Sequence, residues 1–237
     1  MNKITKLAAT AFVAVFFANN SIADNEGISI GFWGAQLDLD TYGTETQPAD
    51  GNDGESEPDV SSATKNESVD VASVFIEYTA AQGSSIGFEY YPGDATLGAG
   101  TRTDTGTHGA DSGTSSKTYT ASADVTDVAT VYIEPTYMVN ETFGLYGKVG
   151  ITTMHVTSIE SISAGTDSST YGDVDIWGAM YGIGLKARHS SGMFLKLEGS
   201  TTHFRPVRLE SNSGNSPSKI YADIDIEAVR LAIGYTF

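Results

Sequence analysis

Apolar and polar residues alternate along the last nine positions of the chain, residues 229–237. Val, Leu, Ile, Tyr and Phe occupy every second position, and Arg, Ala, Gly and Thr occupy the positions between them. Only a β-strand has a side-chain period of two, so one face of this segment is apolar and the other is small or polar. Such a strand, about nine to eleven residues long, can cross a bilayer as part of a β-barrel. Taken alone, the segment would also suit an amphipathic strand of a soluble sandwich.

The same alternation predicts eight strands along the chain. They cover residues 27–39, 69–80, 85–92, 124–138, 143–157, 174–188, 193–204 and 220–237. The connections alternate between short ones (81–84, 139–142, 189–192) and long ones (40–68, 93–123, 158–173, 205–219). Outer-membrane barrels have short periplasmic turns and long outer loops, whereas a Greek-key sandwich has no reason to sort its loops in this way.

We therefore predict an all-β fold. It is an eight-stranded antiparallel up-and-down transmembrane β-barrel with long extracellular loops and short periplasmic turns. Its closure should leave no strand edge unpaired, because a barrel has no edge.

Within residues 74–78, 86–90, 131–134, 145–151, 177–186, 195–198 and 229–237, every charged residue falls on the face opposite the apolar one. A Lys or Arg facing lipid at the bilayer midplane would cost about 2–4 kcal/mol, so this face must be the lumen. The predicted lumen set contains four acids and four bases: Glu77, Glu89, Glu134, Lys148, Lys186, Lys196, Glu198 and Arg230. We expect a neutral salt-bridged plug, because an eight-stranded barrel is only wide enough for its own side chains. An ion path or proton relay is the alternative interpretation.

Two cross-strand pairs follow from the positions of the short turns. A turn centred at Glu141 places Glu134 opposite Lys148, which predicts an ion pair in the lumen. A turn centred at Gly83 would place Glu77 opposite Glu89.

The alternation changes phase within the first strand. Positions 28, 30 and 32 are apolar, and then positions 35, 37 and 39 are apolar instead. This change predicts a β-bulge near Trp33 and Gly34. The last strand also changes phase, near Glu227, where it should already lie above the membrane.

Residues 1–23 have the composition of a secretory signal peptide. Lys3 and Lys6 precede an apolar run over residues 7–18, and Ser21-Ile22-Ala23 form a small-x-small cleavage site. The apolar run is too short for a membrane-spanning helix. We expect cleavage after Ala23 and a barrel domain over residues 24–237.

The chain carries a formal net charge of −17 and contains no cysteine. Strong acidity argues against a nucleic-acid partner, which requires a basic face. The absence of cysteine excludes disulfides and thiolate metal sites. We predict no cofactor and no metal site.

Acidic residues dominate the first long connection. Residues 40–70 hold nine acids against Lys65, which predicts a mobile, solvated segment that could meet a basic partner. The run 50–55 resembles a calcium loop, but Gly54 stands where an oxygen ligand belongs, so at most a loose surface site is expected. The connection over residues 98–120 is rich in Gly, Thr and Ser and has no recognisable pattern.

One group of residues suggests catalysis. His189, Ser190, Ser191 and Glu198 supply a base, a nucleophile and an acid close together in the sequence. The first three lie in a predicted periplasmic turn, where Ser and Gly are expected for conformational reasons, and triads are defined by geometry. His155 and His203 fall near the outer rim without convincing acid and serine partners. We predict that the protein is not an enzyme.

Three sequence runs, over residues 145–150, 181–185 and 233–237, resemble those of the small OmpA-like outer-membrane β-barrel family. The resemblance implies residence in a Gram-negative outer membrane, in contact with its lipid and lipopolysaccharide. It implies that Tyr235 and Phe237 are recognised by the barrel-assembly machinery.

The resemblance also implies a structural or surface-interaction role in envelope integrity or adhesion, with the acidic loops meeting a host or surface partner. A narrow pore for ions or small solutes is the alternative, and a lipid A-modifying barrel enzyme or a soluble secreted β protein are further ones.

Overall fold

The structure, a computed structural model, describes residues 26–47, 58–106, 115–162, 171–211 and 218–237. These contain eleven strands: β1 (Gly27–Gln47), β2 (Asp59–Thr79), β3 (Ser85–Tyr91), β4 (Ala95–Gly106), β5 (Ser115–Glu134), β6 (Thr136–Met138), β7 (Phe143–Ile162), β8 (Asp173–Arg188), β9 (Met193–Phe204), β10 (Val207–Glu210) and β11 (Lys219–Thr236). No helix in these ranges is long and apolar enough to span a membrane.

Eight strands form a closed antiparallel barrel in the order β1, β2, β3, β5, β7, β8, β9 and β11, and β11 closes on β1. The other three strands extend this wall. Strand β4 follows β3 and pairs with β5, β6 follows β5 and pairs with β7, and β10 follows β9 and pairs with β11. The predicted eight-stranded barrel is confirmed.

Short turns lie at one end of the barrel, which we call the turn side; the opposite end is the loop side. Gly83 and Gly192 close two of these turns by donating backbone hydrogen bonds to Ala80 O (2.7 Å) and His189 O (3.0 Å). Both glycines have φ near +90°, a region that residues with a Cβ rarely adopt. Gly27 and Phe237 also lie on the turn side, where Phe237 N donates to Ile28 O.

The strands extend much farther on the loop side than their apolar alternation predicts. Strand β1 runs to Gln47 and β2 begins at Asp59, so the prediction of a mobile segment over residues 40–70 is wrong for most of it. Strands β4 and β5 likewise occupy much of the predicted loop over 93–123. Ladder hydrogen bonds do not depend on a lipid-facing surface, so pairing continues where the apolar pattern ends. The run 50–55 lies outside the described residues, as does the predicted signal peptide.

The predicted bulge near Trp33 is absent. Strand β1 keeps an unbroken register with β11, from Ser29 opposite Thr236 to Thr46 opposite Lys219. Trp33, Ala35 and Leu39 are all buried on the lumen side. The apolar phase changes because the lumen itself becomes apolar towards the loop side, while the outer surface becomes polar there. The same change explains the pattern of β11 near Glu227.

A band of exposed apolar side chains encircles the turn-side half of the barrel. It includes Ile30, Phe32, Val74, Ile76, Ile86, Phe88, Val131, Ile133, Leu145, Val149, Ile151, Trp177, Tyr181, Ile183, Leu185, Leu197, Val229 and Ile233. These are the outward positions of their strands, as the alternation predicted. Such a band is the surface that a barrel presents to lipid.

The interior has two levels of opposite character. The turn-side level holds the charged residues around a small aromatic cluster of Trp33, Phe75 and Phe194. The loop-side level is an apolar core whose members include Leu39, Val125, Met154, Val156, Tyr171, Ile176, Phe204, Val207, Leu209 and Ile224. The polar interior expected from the sequence therefore fills only half of the barrel.

Candidate functional site

Four charged residues near the turn side form an alternating ring, which we call the turn-side square. Lys196 Nζ lies 2.8 Å from Glu77 Oε2 and 2.8 Å from Glu134 Oε2. Lys186 Nζ lies 3.6 Å from each of the same two carboxylates. Each acid thus contacts both bases, and the square is neutral. All four side chains are buried.

The other four charged residues form a second alternating ring, the loop-side square. Arg230 donates to both oxygens of Glu89, at 2.8 and 2.7 Å, and its Nε lies 3.4 Å from Glu198. Lys148 Nζ lies 3.3 Å from Glu89 and 3.7 Å from Glu198. This square is also neutral and buried. A buried ion pair is tolerated when its charges are balanced and hydrogen-bonded. Both squares balance their charges, and their shortest contacts are hydrogen bonds, but Glu134 Oε1, Glu198 Oε1 and Arg230 Nε have no hydrogen-bond partner among the described residues.

Neutral residues that the sequence did not single out complete these squares. Tyr132 donates to Glu77 (2.7 Å), Tyr146 to Glu198 (3.1 Å) and Ser73 to Glu89 (2.5 Å). The Trp33 ring lies 4.3 Å from the Arg230 guanidinium carbon and 5.1 Å from Lys148 Nζ. The sequence could have predicted this role from the positions of these tyrosines and Trp33 on the inward face of their strands. Buried phenol groups and aromatic rings near charges usually interact with them.

The structure brings all eight predicted lumen residues together but corrects their pairing. Glu134 and Lys148 both face the lumen, yet they belong to different squares, so the predicted ion pair is wrong. Their strands do have the predicted register, with Ile133 opposite Val149. A Lys amino group extends several ångströms from its Cβ, so partners across a narrow bore compete with the directly opposed residue.

The predicted juxtaposition of Glu77 and Glu89 is also wrong. Glu77 lies opposite Gly87, and Glu89 lies opposite Phe75. The turn is centred one residue earlier than Gly83, at Gln82. Each acid therefore reaches its own pair of bases instead of repelling the other acid.

A cavity of about 100 Å³ lies between the loop-side square and the apolar core. Its polar side, which we call the floor, includes Arg230, Tyr91 and the hydroxyl residues Thr130, Thr152, Ser200 and Thr202. Its apolar side, the roof, includes Leu37, Leu39, Val69, Val71, Val125, Met154, Met180, Phe204 and Ile226. The segment from Tyr91 to Ala95, which joins β3 to β4, lines one side.

The barrel wall is interrupted beside this cavity, which corrects the expectation of a fully paired wall. Strand β2 pairs with β3 only between Val74 and Thr79. Strand β4 pairs with β5, and no ladder joins it to β2 within the described ranges. Pro92 has no N–H to offer β2, and Gly93 turns the chain with a φ of +106°. We call this interruption the wall gap.

The predicted catalytic group is not assembled. His189 Nδ1 and Ser191 Oγ lie 2.9 Å apart in a turn, but Glu198 belongs to the loop-side square. His155 and His203, in contrast, do have acid partners: their Nδ1 atoms lie 2.7 Å from Asp175 and 2.8 Å from Asp225. Both pairs lie on the outer surface, on the loop side of the apolar band.

Tyr235 and Phe237 lie on the outer surface at the turn side. Both side chains are exposed, and their rings meet edge to face with centroids 5.0 Å apart. The two aromatic residues therefore form one exposed patch at the end of β11.

No protein-family model and no curated protein sequence matches the chain. Among solved structures, the outer membrane protein OprG from Pseudomonas aeruginosa has a TM-score of 0.55 and 11% identity, covering 92% of this chain and 100% of OprG. The outer membrane protein AlkL in lipid bilayers has a TM-score of 0.40 and 16% identity, covering 93% and 95% of the two chains. Ail, the attachment invasion locus protein of Yersinia pestis, has a TM-score of 0.33 and 11% identity, covering 86% and 99%.

At these sequence identities the similarity is one of fold. It rests on OprG, because the TM-scores of AlkL and Ail are lower. An eight-stranded closed wall, a band of exposed apolar side chains and a polar turn-side lumen agree with that likeness. The chain therefore has the fold of a small eight-stranded outer-membrane β-barrel.

Proposed function

We propose that the protein is a non-enzymatic outer-membrane barrel that is closed to ions and takes a small apolar molecule into its side cavity through the wall gap. The observation that carries this proposal is that the wall gap lies directly beside the cavity. The wall gap and the cavity above the squares share the segment from Tyr91 to Ala95.

The charged squares support the closed state. An ion crossing the lumen would have to separate acids from bases that are already paired at 2.7–3.7 Å in a buried site. Breaking a buried pair leaves an uncompensated charge, which costs several kcal/mol. The narrow-pore alternative is therefore the weaker one.

The cavity can be tested with methionine methyl groups as reporters. Met154 and Met180 line it, whereas Met193 faces outward on the turn side. We expect benzene, added to ¹³C-methyl-methionine protein in lipid nanodiscs, to shift the first two signals saturably. Ala228→Leu should abolish these shifts by filling the cavity, and Val229→Leu, on the outward face, should not. Absence of a saturable shift in the wild type would contradict the proposal.

Ion conduction is tested separately in planar bilayers. We expect the wild-type protein to give no steady conductance steps. Reproducible ion-selective steps would instead support a pore.

A second candidate function is contact with a basic surface partner, in accordance with the acidic exterior. On the loop side, Asp38 lies opposite Glu227 and Asp40 opposite Asp225, so like charges face each other across β1 and β11. Such pairs are unfavourable unless a cation lies nearby. We expect a lysine-rich peptide to bind the wild type and to bind the variant Asp40→Asn/Asp225→Asn less tightly, whereas equal binding would contradict this function.

We also propose that the exposed patch of Tyr235 and Phe237 is the signal read by the barrel-assembly machinery. Its position at the end of the closing strand, pointing outward, supports this role.

A further inference from the structure

The cavity has a polar floor and an apolar roof, and we infer that it selects small neutral amphiphiles, with a hydroxyl or carbonyl group directed at the floor. This inference rests on the proposed function, because it assumes that the cavity is a binding site. It adds the chemical class of the ligand and its orientation.

A layer of neutral hydrogen-bonding groups covers the charged squares. Thr130 Oγ1 and Thr152 Oγ1 lie 2.9 Å apart, and both residues are buried. A hydroxyl has one donor and two acceptor lone pairs, so a bonded pair of hydroxyls still offers a donor and acceptors to a third group. Tyr91 OH is already engaged, because it accepts a hydrogen bond from Arg230 (3.0 Å) and shares a hydrogen bond with Glu89, so the two threonines supply the remaining capacity. The floor can therefore satisfy one polar group of a ligand.

The charge balance of the loop-side square argues against a charged ligand. Arg230 is engaged with Glu89, Glu198 and Tyr91, and Lys148 contacts the same two acids. A carboxylate entering the cavity would meet no uncommitted cation and would lie near two carboxylates. An ammonium group would meet no uncommitted acid. Burying an unpaired charge is strongly unfavourable, so the polar end should be neutral.

The roof fixes the orientation of the ligand. Its residues on this side of the cavity, among them Leu39, Val125, Met154 and Phe204, belong to the apolar core and are buried. A polar group placed there would lose its hydrogen bonds, whereas an alkyl chain would gain contacts. An apolar cavity of about 150 Å³ accommodates benzene, which has six non-hydrogen atoms, so a ligand of about four or five suits this cavity of about 100 Å³.

Three matched compounds test this inference: butan-1-ol, pentane and butanoate, each titrated into ¹³C-methyl-methionine protein in lipid nanodiscs. We expect butan-1-ol to shift Met154 and Met180 saturably, pentane to bind about fivefold more weakly, and butanoate to cause no shift. The outward Met193 reports partitioning into lipid and provides the internal control.

The variant Thr152→Val should weaken the binding of butan-1-ol about fivefold and leave pentane unaffected, because it removes a hydroxyl at nearly constant volume. Thr153→Val, on the outward face of the same strand, is the matched control and should change neither. The double variant Thr130→Val/Thr152→Val removes both hydroxyls together, and its folding can be verified by heat-modifiable migration on a gel.

The possible failures are distinguishable. Equal binding of pentane and butan-1-ol, or an unchanged affinity for butan-1-ol in both threonine variants, would overturn the inference and leave the proposed function standing. Saturable binding of butanoate would overturn the requirement for a neutral ligand. If none of the three compounds nor benzene shifts Met154 or Met180, the proposed function itself fails.

Discussion

Glu77 and Glu134, which come from β2 and β5, are joined by a single shared cation. Lys196 Nζ, from β9, lies 2.8 Å from a carboxylate oxygen of each. Three strands of the barrel, β2, β5 and β9, are thereby linked through one buried ammonium group. The same Nζ atom lies near the aromatic rings of Phe75 and Phe194, 5.4 and 5.5 Å from their centroids.

Lys196→Met should lower the free energy of unfolding by about 3–5 kcal/mol, because it leaves an excess of buried negative charge. Urea titration of the protein in lipid vesicles, followed by tryptophan fluorescence, measures this change. The charge-balanced variant Lys196→Met/Glu134→Gln should recover part of the loss. A loss below about 1 kcal/mol for the single variant would mean that the square is weakly coupled.

Inward glycines provide the space for inward aromatic rings. A Cβ built on Gly184 would overlap the Tyr146 ring and approach Leu197 O at 2.5 Å, and Gly31, Gly87 and Gly234 are covered in the same way by Phe75, Tyr132 and Phe194. Gly184→Ala should therefore destabilise the barrel by about 1–3 kcal/mol.

The matched control for this substitution is Gly199→Ala. Gly199 faces outward on the neighbouring strand, and its Cβ would meet no atom within 4 Å. Urea unfolding midpoints that are equal for the two variants would contradict the role assigned to the glycine–ring pairs.

The imidazole of His155 should titrate above its ordinary range. Asp175, which shares a hydrogen bond with it, and the nearby Asp173 raise the pKa of His155 above 6.5. Because the folded protein holds this proton more tightly than the unfolded chain does, the stabilisation is full below the unfolded pKa near 6.5. It is lost as the pH rises through the folded value.

Titration of the His155 ring by NMR measures this pKa directly. We expect Asp175→Asn to lower it, because the substitution removes the negative charge and weakens the hydrogen bond. An unchanged titration midpoint in that variant would refute the assignment of Asp175 as the main cause.

Phe237→Ala should reduce the yield of folded protein in the outer membrane of cells, because the exposed patch with Tyr235 is lost. Refolding of the purified variant into detergent micelles should remain efficient, since both side chains lie outside the packed interior. Tyr137→Ala, which removes another exposed aromatic side chain, is the control. A normal yield of the Phe237→Ala variant in cells would show that the patch is not part of the assembly signal.

Period-two alternation sufficed to predict the barrel, the short turns and the inward side of all eight lumen charges, because lipid constrains every outward position of the spanning segments. The pairing of those charges could not be predicted in the same way. Glu134 contacts Lys196, and Lys148 contacts Glu89, across the bore, where distances depend on barrel closure and not on spacing along one hairpin.

The loop-side half illustrates a different limit. There the outward face meets water and the lumen is apolar, so Leu37 and Leu39 invert the pattern set by Ile28 and Ile30 without any change in backbone register. An inversion of polarity within one strand is indistinguishable, in the sequence, from a bulge. The wall gap was likewise hidden, because Pro92 and Gly93 also suit an ordinary turn.

We expect the wall gap to determine where the molecule begins to unfold. A cylinder of hydrogen-bonded strands resists opening where a strand is paired on both sides. Residues 59–73 of β2 pair with β1 alone, a longer one-sided stretch than residues 173–177 of β8, which pair with β7 alone. Thermal separation of strands should start in this part of β2 and spread towards the turns, so its amide exchange should precede that of the parts of β8 and β9 that are paired on both sides. The feature that we propose as the entrance for a guest should thus also be the seam along which the cylinder opens.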